Sequence, residues 1–153
     1  MAYQWITYER SDAVTDAAWS RGPLVNSSGG KKDIALRAAW YLEERSFSLK
    51  ELREVADVLG YSYSYLSHVF REEMGMSLQS YYSRIKVRKA MELLRKTDAT
   101  VTRVAELLHY QSIHSFSKAF KRQTGQSPSE YQLQVWNEKD TDKKSRKIEI
   151  VYR

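Results

Sequence analysis

The sequence contains no cysteine, which removes disulfides, thiolate metal ligands and a cysteine nucleophile together and is compatible with a reducing compartment. Histidine is scarce as well: His68, His109 and His114 are the three, and neither they nor the carboxylates follow the spacing of a metal site. No stretch approaches the roughly 18 apolar residues of a membrane span, and the opening "MAYQWITYER" lacks the basic start and apolar run of a signal peptide. These absences predict a cytoplasmic protein with no membrane partner, no catalytic residues, no metal and no cofactor. Proline is also rare, with only Pro23 and Pro128, so little of the chain is barred from helix.

What is present is a chain of 153 residues, 42% hydrophobic, able to bury a core as one domain or two very small ones. The net charge of +6 points to an acidic partner, and its distribution is uneven. Residues 31–83 hold seven Lys or Arg against eight Asp or Glu, whereas residues 84–122 hold ten against three. A charge run by itself marks only a solvated face, so the partner must be argued from where the charges stand.

The "NSSGG" at 26–30 reads as a flexible joint closing a leader over residues 1–30, and from Lys31 onward the pattern is helical. Ile34, Ala38, Tyr41 and Leu42 recur at helical spacing, as do Leu49, Leu52, Val55, Ala56 and Leu59 before Gly60. Ser62 or Ser64 is placed to cap a third helix that buries Leu66, Val69 and Phe70 and ends at Gly75. A longer helix follows from about Leu78 to Lys96. After "TDAT" comes a short helix through Val104 and Leu108, another capped by Ser112, and a last one with Ser127 as cap and Pro128 in its first turn. No strand is required between 31 and 136. Residues 137–153 read as a charged tail, with "NEKDTDKKSRK" linker-like. At the two ends, "YQWITYER" (3–10) and "KIEIVYR" (147–153) carry the pattern of short terminal strands, which if ordered pair with each other, with a second copy or with a partner; the alternative is frayed tails.

The chain repeats itself. "VADVLGY" at 55–61 matches "VAELLHY" at 104–110, and "VFREEMGMSLQSYY" at 69–82 matches "AFKRQTGQSPSEYQ" at 119–132, with one residue added in the turn between paired helices. Each copy runs helix, tight turn, helix, then Gly-x-Ser and a further helix, the arithmetic of a helix-turn-helix. On the second helix of the first copy Ser64, Ser67, His68 and Arg71 share one face; in the second copy His114, Ser117, Lys118 and Lys121 occupy the equivalent face. Short hydrogen-bonding residues followed by cations suit a helix entering a major groove, with Arg71, Lys121 and Arg122 reaching phosphates. An ordinary solvated helix face has the same spacing.

The run "VADVLGYSYSYLSHVFREEMGMSLQSYYSRIKVRKAMELL" together with "VTRVAELLHYQSIHSFSKAFKRQTGQSPSEYQ" resembles the DNA-binding domain of AraC/XylS-type transcriptional regulators, from about Asp33 to Gln132. The resemblance implies an all-α double helix-turn-helix domain over 31–136: a first unit at about 33–77, a connecting helix at about 78–97, and a second unit at about 100–136. The connecting helix, about 28 Å long, would fix the spacing of two recognition helices on double-stranded DNA, whose helical repeat is about 34 Å. It places Ser64, Ser67 and His68 at bases for the first unit and His114, Ser117 and Lys118 for the second, with Ile113 beside them near a thymine methyl or packed on Phe116. The basic face of the connecting helix, Arg84 and Lys86 with Arg88 and Lys89, falls near the DNA backbone. Family members mostly activate transcription through RNA polymerase, which the resemblance implies as a second partner.

Two departures stand out. The family usually has Gly before the aromatic of the second turn, as Gly60 precedes Tyr61; here the residue is His109, and a left-handed backbone there costs about 1 kcal/mol. Many relatives carry a large effector-binding domain ahead of this module, and thirty leader residues are too few to make one. The competing reading is a helical protein-interaction adaptor on the same fold.

Overall fold

The computed structural model describes residues 29–151. Seven helices occur among them: α1 (Lys31–Glu44), α2 (Arg53–Leu59), α3 (Tyr63–Met74), α4 (Leu78–Lys96), α5 (Val101–Leu107), α6 (Ile113–Thr124) and α7 (Pro128–Val151). The described residues contain no strand, and no helix among them is long and apolar enough to cross a membrane. The chain forms two compact units, the first from residues 29–44 and 53–77, the second from Arg45–Leu52 together with everything from Leu78 onward.

The first unit is closed by small residues. α1 buries Ile34, Ala35, Ala38, Ala39 and Leu42 and packs on both α2 and α3, which contribute Val55, Ala56, Leu66, Val69 and Phe70. Alanine on the inner face of α1 lets its backbone come close to α3, while Phe70 fills the remaining volume. The second unit has a heavier aromatic core. Phe116, Phe120 and Tyr131 sit with Val87, Ala90, Leu94, Val104 and Leu108, and their rings run in a column through Tyr110–Phe116 at 5.1 Å, Phe116–Phe120 at 5.8 Å and Phe120–Tyr131 at 5.6 Å.

The repeat read from the sequence is reproduced in the backbone. The Tyr61 amide donates to the Ala56 carbonyl and the Tyr110 amide to the Ala105 carbonyl, both at 3.0 Å. Such a bond closes only if the residue before the tyrosine is left-handed; Gly60 has φ 78° and His109 has φ 56°. His109 thus adopts the conformation its position demands, and its ring Nε2 donates to the Phe47 carbonyl in the loop 45–52. That loop is held to the second unit at two further points, by the Tyr82 hydroxyl donating to the Leu49 carbonyl at 3.2 Å and by Lys89 lying 5.9 Å from the Phe47 ring centre. A loop lying between α2 and its predecessor in sequence therefore folds with residues more than thirty positions downstream.

The caps are as local chemistry requires. Ser62, not Ser64, caps α3 by accepting the Tyr65 amide at 3.2 Å, and Ser112 caps α6 by accepting the Ser115 amide at 3.1 Å. Both helices end on a left-handed glycine, Gly75 or Gly125. Ser127 and Glu130 form a reciprocal capping box on α7, with bonds of 2.7 and 3.2 Å.

One expectation is overturned. The terminal strand read at 147–153 is helical through Val151, and the charged tail from 137 onward continues α7 without a break. Extending an existing helix gains a hydrogen bond per residue without a new nucleation step, whereas a lone strand would have no partner for its backbone groups. The supposed linker also carries helical pairs: Gln134 with Glu138 at 3.0 Å and Asp142 with Arg146 at 3.2 Å, each four residues apart. The strand read at 3–10 lies outside the described residues.

His109 carries opposing effects that substitution separates. His109→Ala keeps the unfavourable backbone and loses the bond to Phe47, so it is expected to destabilise by about 1 to 2 kcal/mol. His109→Gly loses the same bond but relieves about 1 kcal/mol of backbone strain, and should be near neutral. Urea unfolding of the two variants beside the parent checks the order.

Candidate nucleic-acid interface

α3 turns Leu66, Val69 and Phe70 inward, leaving Ser64, Tyr65, His68, Arg71 and Glu72 exposed and Ser67 half-buried at the edge of that face. α6 does the same with Phe116 and Phe120 inward and His114, Ser115, Lys118, Lys121 and Arg122 exposed, Ser117 again half-buried. Within each unit the predicted base-reading residues are therefore brought to one side of one helix, anchored from behind by the core. Ile113, at the front of α6, is 46% exposed.

Two residues on these faces escaped the sequence reading. Tyr65 is 43% exposed, its ring 5.5 Å from that of Tyr61; as an aromatic in a run of apolar positions it looks like core. Glu72 lies one turn beyond His68, and its carboxylate accepts from Lys31 Nζ at 2.9 Å and lies 3.8 Å from His68 Nε2. The hydrogen bond from Lys31, with its charge, holds the Glu72 carboxyl below the usual carboxylate range and raises the Lys31 ammonium in turn. No short-range pattern links residues 31 and 72, although the offset of 50 between the copies does align Glu72 with Arg122.

The two units differ in charge. The described residues of the first unit hold five Lys or Arg against seven Asp or Glu; those of the second, through residue 146, hold sixteen against eight. Arg84 is exposed on α4. Lys86, expected at the DNA backbone, is half-buried inside the second unit, its ammonium 4.1 Å from the centre of the Tyr110 ring and 4.9 Å from that of Tyr82. Burial lowers its pKa, while the two ring faces stabilise the cation. Tyr110 shares this pocket, and its hydroxyl is buried without a hydrogen-bond partner among the described residues. Burial first, and the neighbouring Tyr82 second, push its phenol up to about 12. Among the described residues no group of three His, Asp or Glu stands where it could hold a metal ion.

Two repeats of a short bracing helix, a left-handed tight turn and a capped helix with a polar outer face define a helix-turn-helix protein. A family profile described as a helix-turn-helix domain matches residues 55–134. The chain belongs to that family, the AraC-type helix-turn-helix proteins. It is similar to the HTH-type transcriptional regulator YtdP of Bacillus subtilis, with 31% identity over 130 residues, 85% of this chain and 16% of that protein. It is also similar to the xylose operon regulatory protein of Haemophilus influenzae, with 28% identity over 65% of this chain and 26% of that protein. Among solved structures, the C-terminal domain of AraT, a response regulator from Geobacillus stearothermophilus, is 35% identical with a TM-score of 0.61, over 66% of this chain and 84% of that one. The chain thus spans only 16 to 26% of the two curated relatives.

The Tyr110 pocket makes a pH prediction. Above its ordinary value of 10 an unfolded phenol loses its proton, whereas the folded one keeps it to about 12. The folded state then binds more protons, so this group's contribution to stability is intact below pH 10 and is lost as pH rises through about 12. Tyr110→Phe should remove that slope and, by deleting a buried unpaired hydroxyl, raise stability near neutrality by about 1 kcal/mol. Denaturant unfolding of parent and variant between pH 7 and roughly pH 11 measures both effects.

Proposed function

We propose that this chain is a sequence-specific DNA-binding transcriptional regulator in which α3 and α6 each enter a major groove. The observation that carries the reading is the pair of outward faces: two capped helices, each braced by a shorter one, with hydrogen-bonding side chains toward the N-terminal end and, toward the C-terminal end, Arg71 in α3 and Lys121 with Arg122 in α6. Recognition helices meet base edges with their first turns and phosphates with their later turns. Ser64, Ser67 and His68 in the first unit, and Ile113, His114, Ser117 and Lys118 in the second, take the base-reading role. Arg71, Arg84, Lys121 and Arg122 take the phosphate role; Lys86, engaged with two rings, does not.

Double-stranded DNA is the partner, and the protein acts in the cytoplasm, where bacterial DNA lies. Contact with RNA polymerase is the route by which such a regulator would activate. Membership of a regulator family weighs against the adaptor reading and against catalysis.

Selection of bound sequences from a random duplex pool tests the reading, and two unlike sequence blocks in the selected site are expected, because the two faces differ at every base-reading position but one. On that site Lys118→Ala should cost about 1 to 3 kcal/mol, concentrated at one or two base pairs, since a lysine in the groove donates to guanine O6 and N7. Arg122→Ala should instead weaken binding to every sequence and reduce the salt slope by about one. Binding that ignores salt, or a pool that yields no common site, would remove DNA reading from this protein.

A further inference from the structure

The two recognition helices align at an offset of 50 residues, and one exposed pair of positions reverses charge: where α6 has Arg122, α3 has Glu72. Both lie in the second half of their helices, the part of a recognition helix that leaves the base edges and meets phosphates. Helix stability does not call for a carboxylate there, because an acidic side chain near a helix C-terminus opposes the helix dipole, and Glu73 adds a second. Arg71 is the one cation of α3, against Lys118, Lys121 and Arg122 in α6. The Glu72 carboxylate is held by Lys31 from the first turn of α1 at 2.9 Å, and both side chains remain about half exposed, 47% and 49%.

We propose that Glu72 is a specificity-determining residue that works by repulsion. Set where its counterpart grips phosphate, it keeps the first unit from adhering to DNA of arbitrary sequence, so that α3 adds to binding only where Ser64, Ser67 and His68 meet matching bases. The second unit, with its excess of cations, supplies the sequence-independent grip. Lys31 is a positioning residue: bonded to Glu72, it offsets part of the negative charge and ties the carboxylate to α1. Binding to random DNA is almost wholly electrostatic, whereas binding to the cognate site also draws on base contacts. On the cognate site the base contacts hold α3 in one register, whereas on random DNA α3 has only phosphates to approach and Glu72 meets them; a repulsion larger in the random complex than in the cognate one is specificity gained against competitors. The inference rests on the DNA-binding reading above.

The test uses the full chain, with fluorescence anisotropy on the selected site and on a random duplex across a salt series. Glu72→Gln should raise affinity for the random duplex about threefold, and Glu72→Arg about tenfold with a salt slope steeper by about one, while the selected site gains less and the specificity ratio narrows. Lys31→Ala should weaken random-duplex binding while Glu72→Gln strengthens it; a merely structural tie between α1 and α3 would make both variants weaken it. Unchanged random-duplex binding in both Glu72 variants would overturn the proposal. A loss confined to one base pair of the selected site would overturn it too, making Glu72 a reader of cytosine N4. Arg122→Ala separates the two levels: if it weakens binding as expected while the Glu72 variants do nothing, only this inference fails. If neither parent nor variant binds DNA in a salt-dependent way, the functional reading fails and takes the inference with it.

Discussion

A hydrogen bond from the tyrosine amide back to the alanine carbonyl five residues earlier, Tyr61 to Ala56 and Tyr110 to Ala105, sets the angle between the paired helices of each unit. It closes only over a left-handed residue, which is why the same turn imposes itself on glycine at position 60 and on histidine at position 109. The small alanine at its foot is fully or almost fully buried in both copies, allowing the bracing helix to sit close to the one it supports. Every exposed side chain on α3 and α6 takes its direction from that frame. At position 109 the histidine ring gains a partner in the Phe47 carbonyl, so an unfavourable backbone is offset by a contact that glycine cannot make.

On one backbone plan the two units carry different chemistry. The first is closed by alanines and a single phenylalanine and is slightly acidic; the second is built on a column of aromatic rings and is strongly basic. The aromatic column also explains where Lys86 goes. A cation on the inner side of α4 meets Tyr82 and Tyr110 before it meets solvent, and ring faces are among the few surroundings in which a half-buried ammonium is tolerated. Part of the basic charge counted along the sequence is thus spent inside the unit, while Lys118, Lys121 and Arg122 remain outside.

Much of this was legible before any coordinates. Ser112 and Gly125 bound α6 as their residue types require, the left-handed turn at His109 follows from its alignment with Gly60, and the inward faces of α3 and α6 follow from the spacing of Leu66, Phe70, Phe116 and Phe120. Tyr65 was hidden because an aromatic among apolar positions has the same pattern whether it faces core or solvent. The segment from 147 onward misled because a β-branched run shows preference but not context, and a helix already under way at Pro128 carries its neighbours along.

The sequence by itself determined the helices as far as the first turns of α7, most of their caps, the duplicated turn and the inward and outward faces of α3 and α6, because these depend on interactions within a few residues or on a period of 3.6. Only the tertiary structure decided which charges remain available and which are engaged: Lys86 between rings, Glu72 clasped by Lys31 across forty-one positions, and the loop 45–52 folded with the second unit rather than with its sequence neighbours. Such pairings join residues far apart along the chain, and no local preference or spacing encodes a contact whose partner is brought in by the packing of other elements.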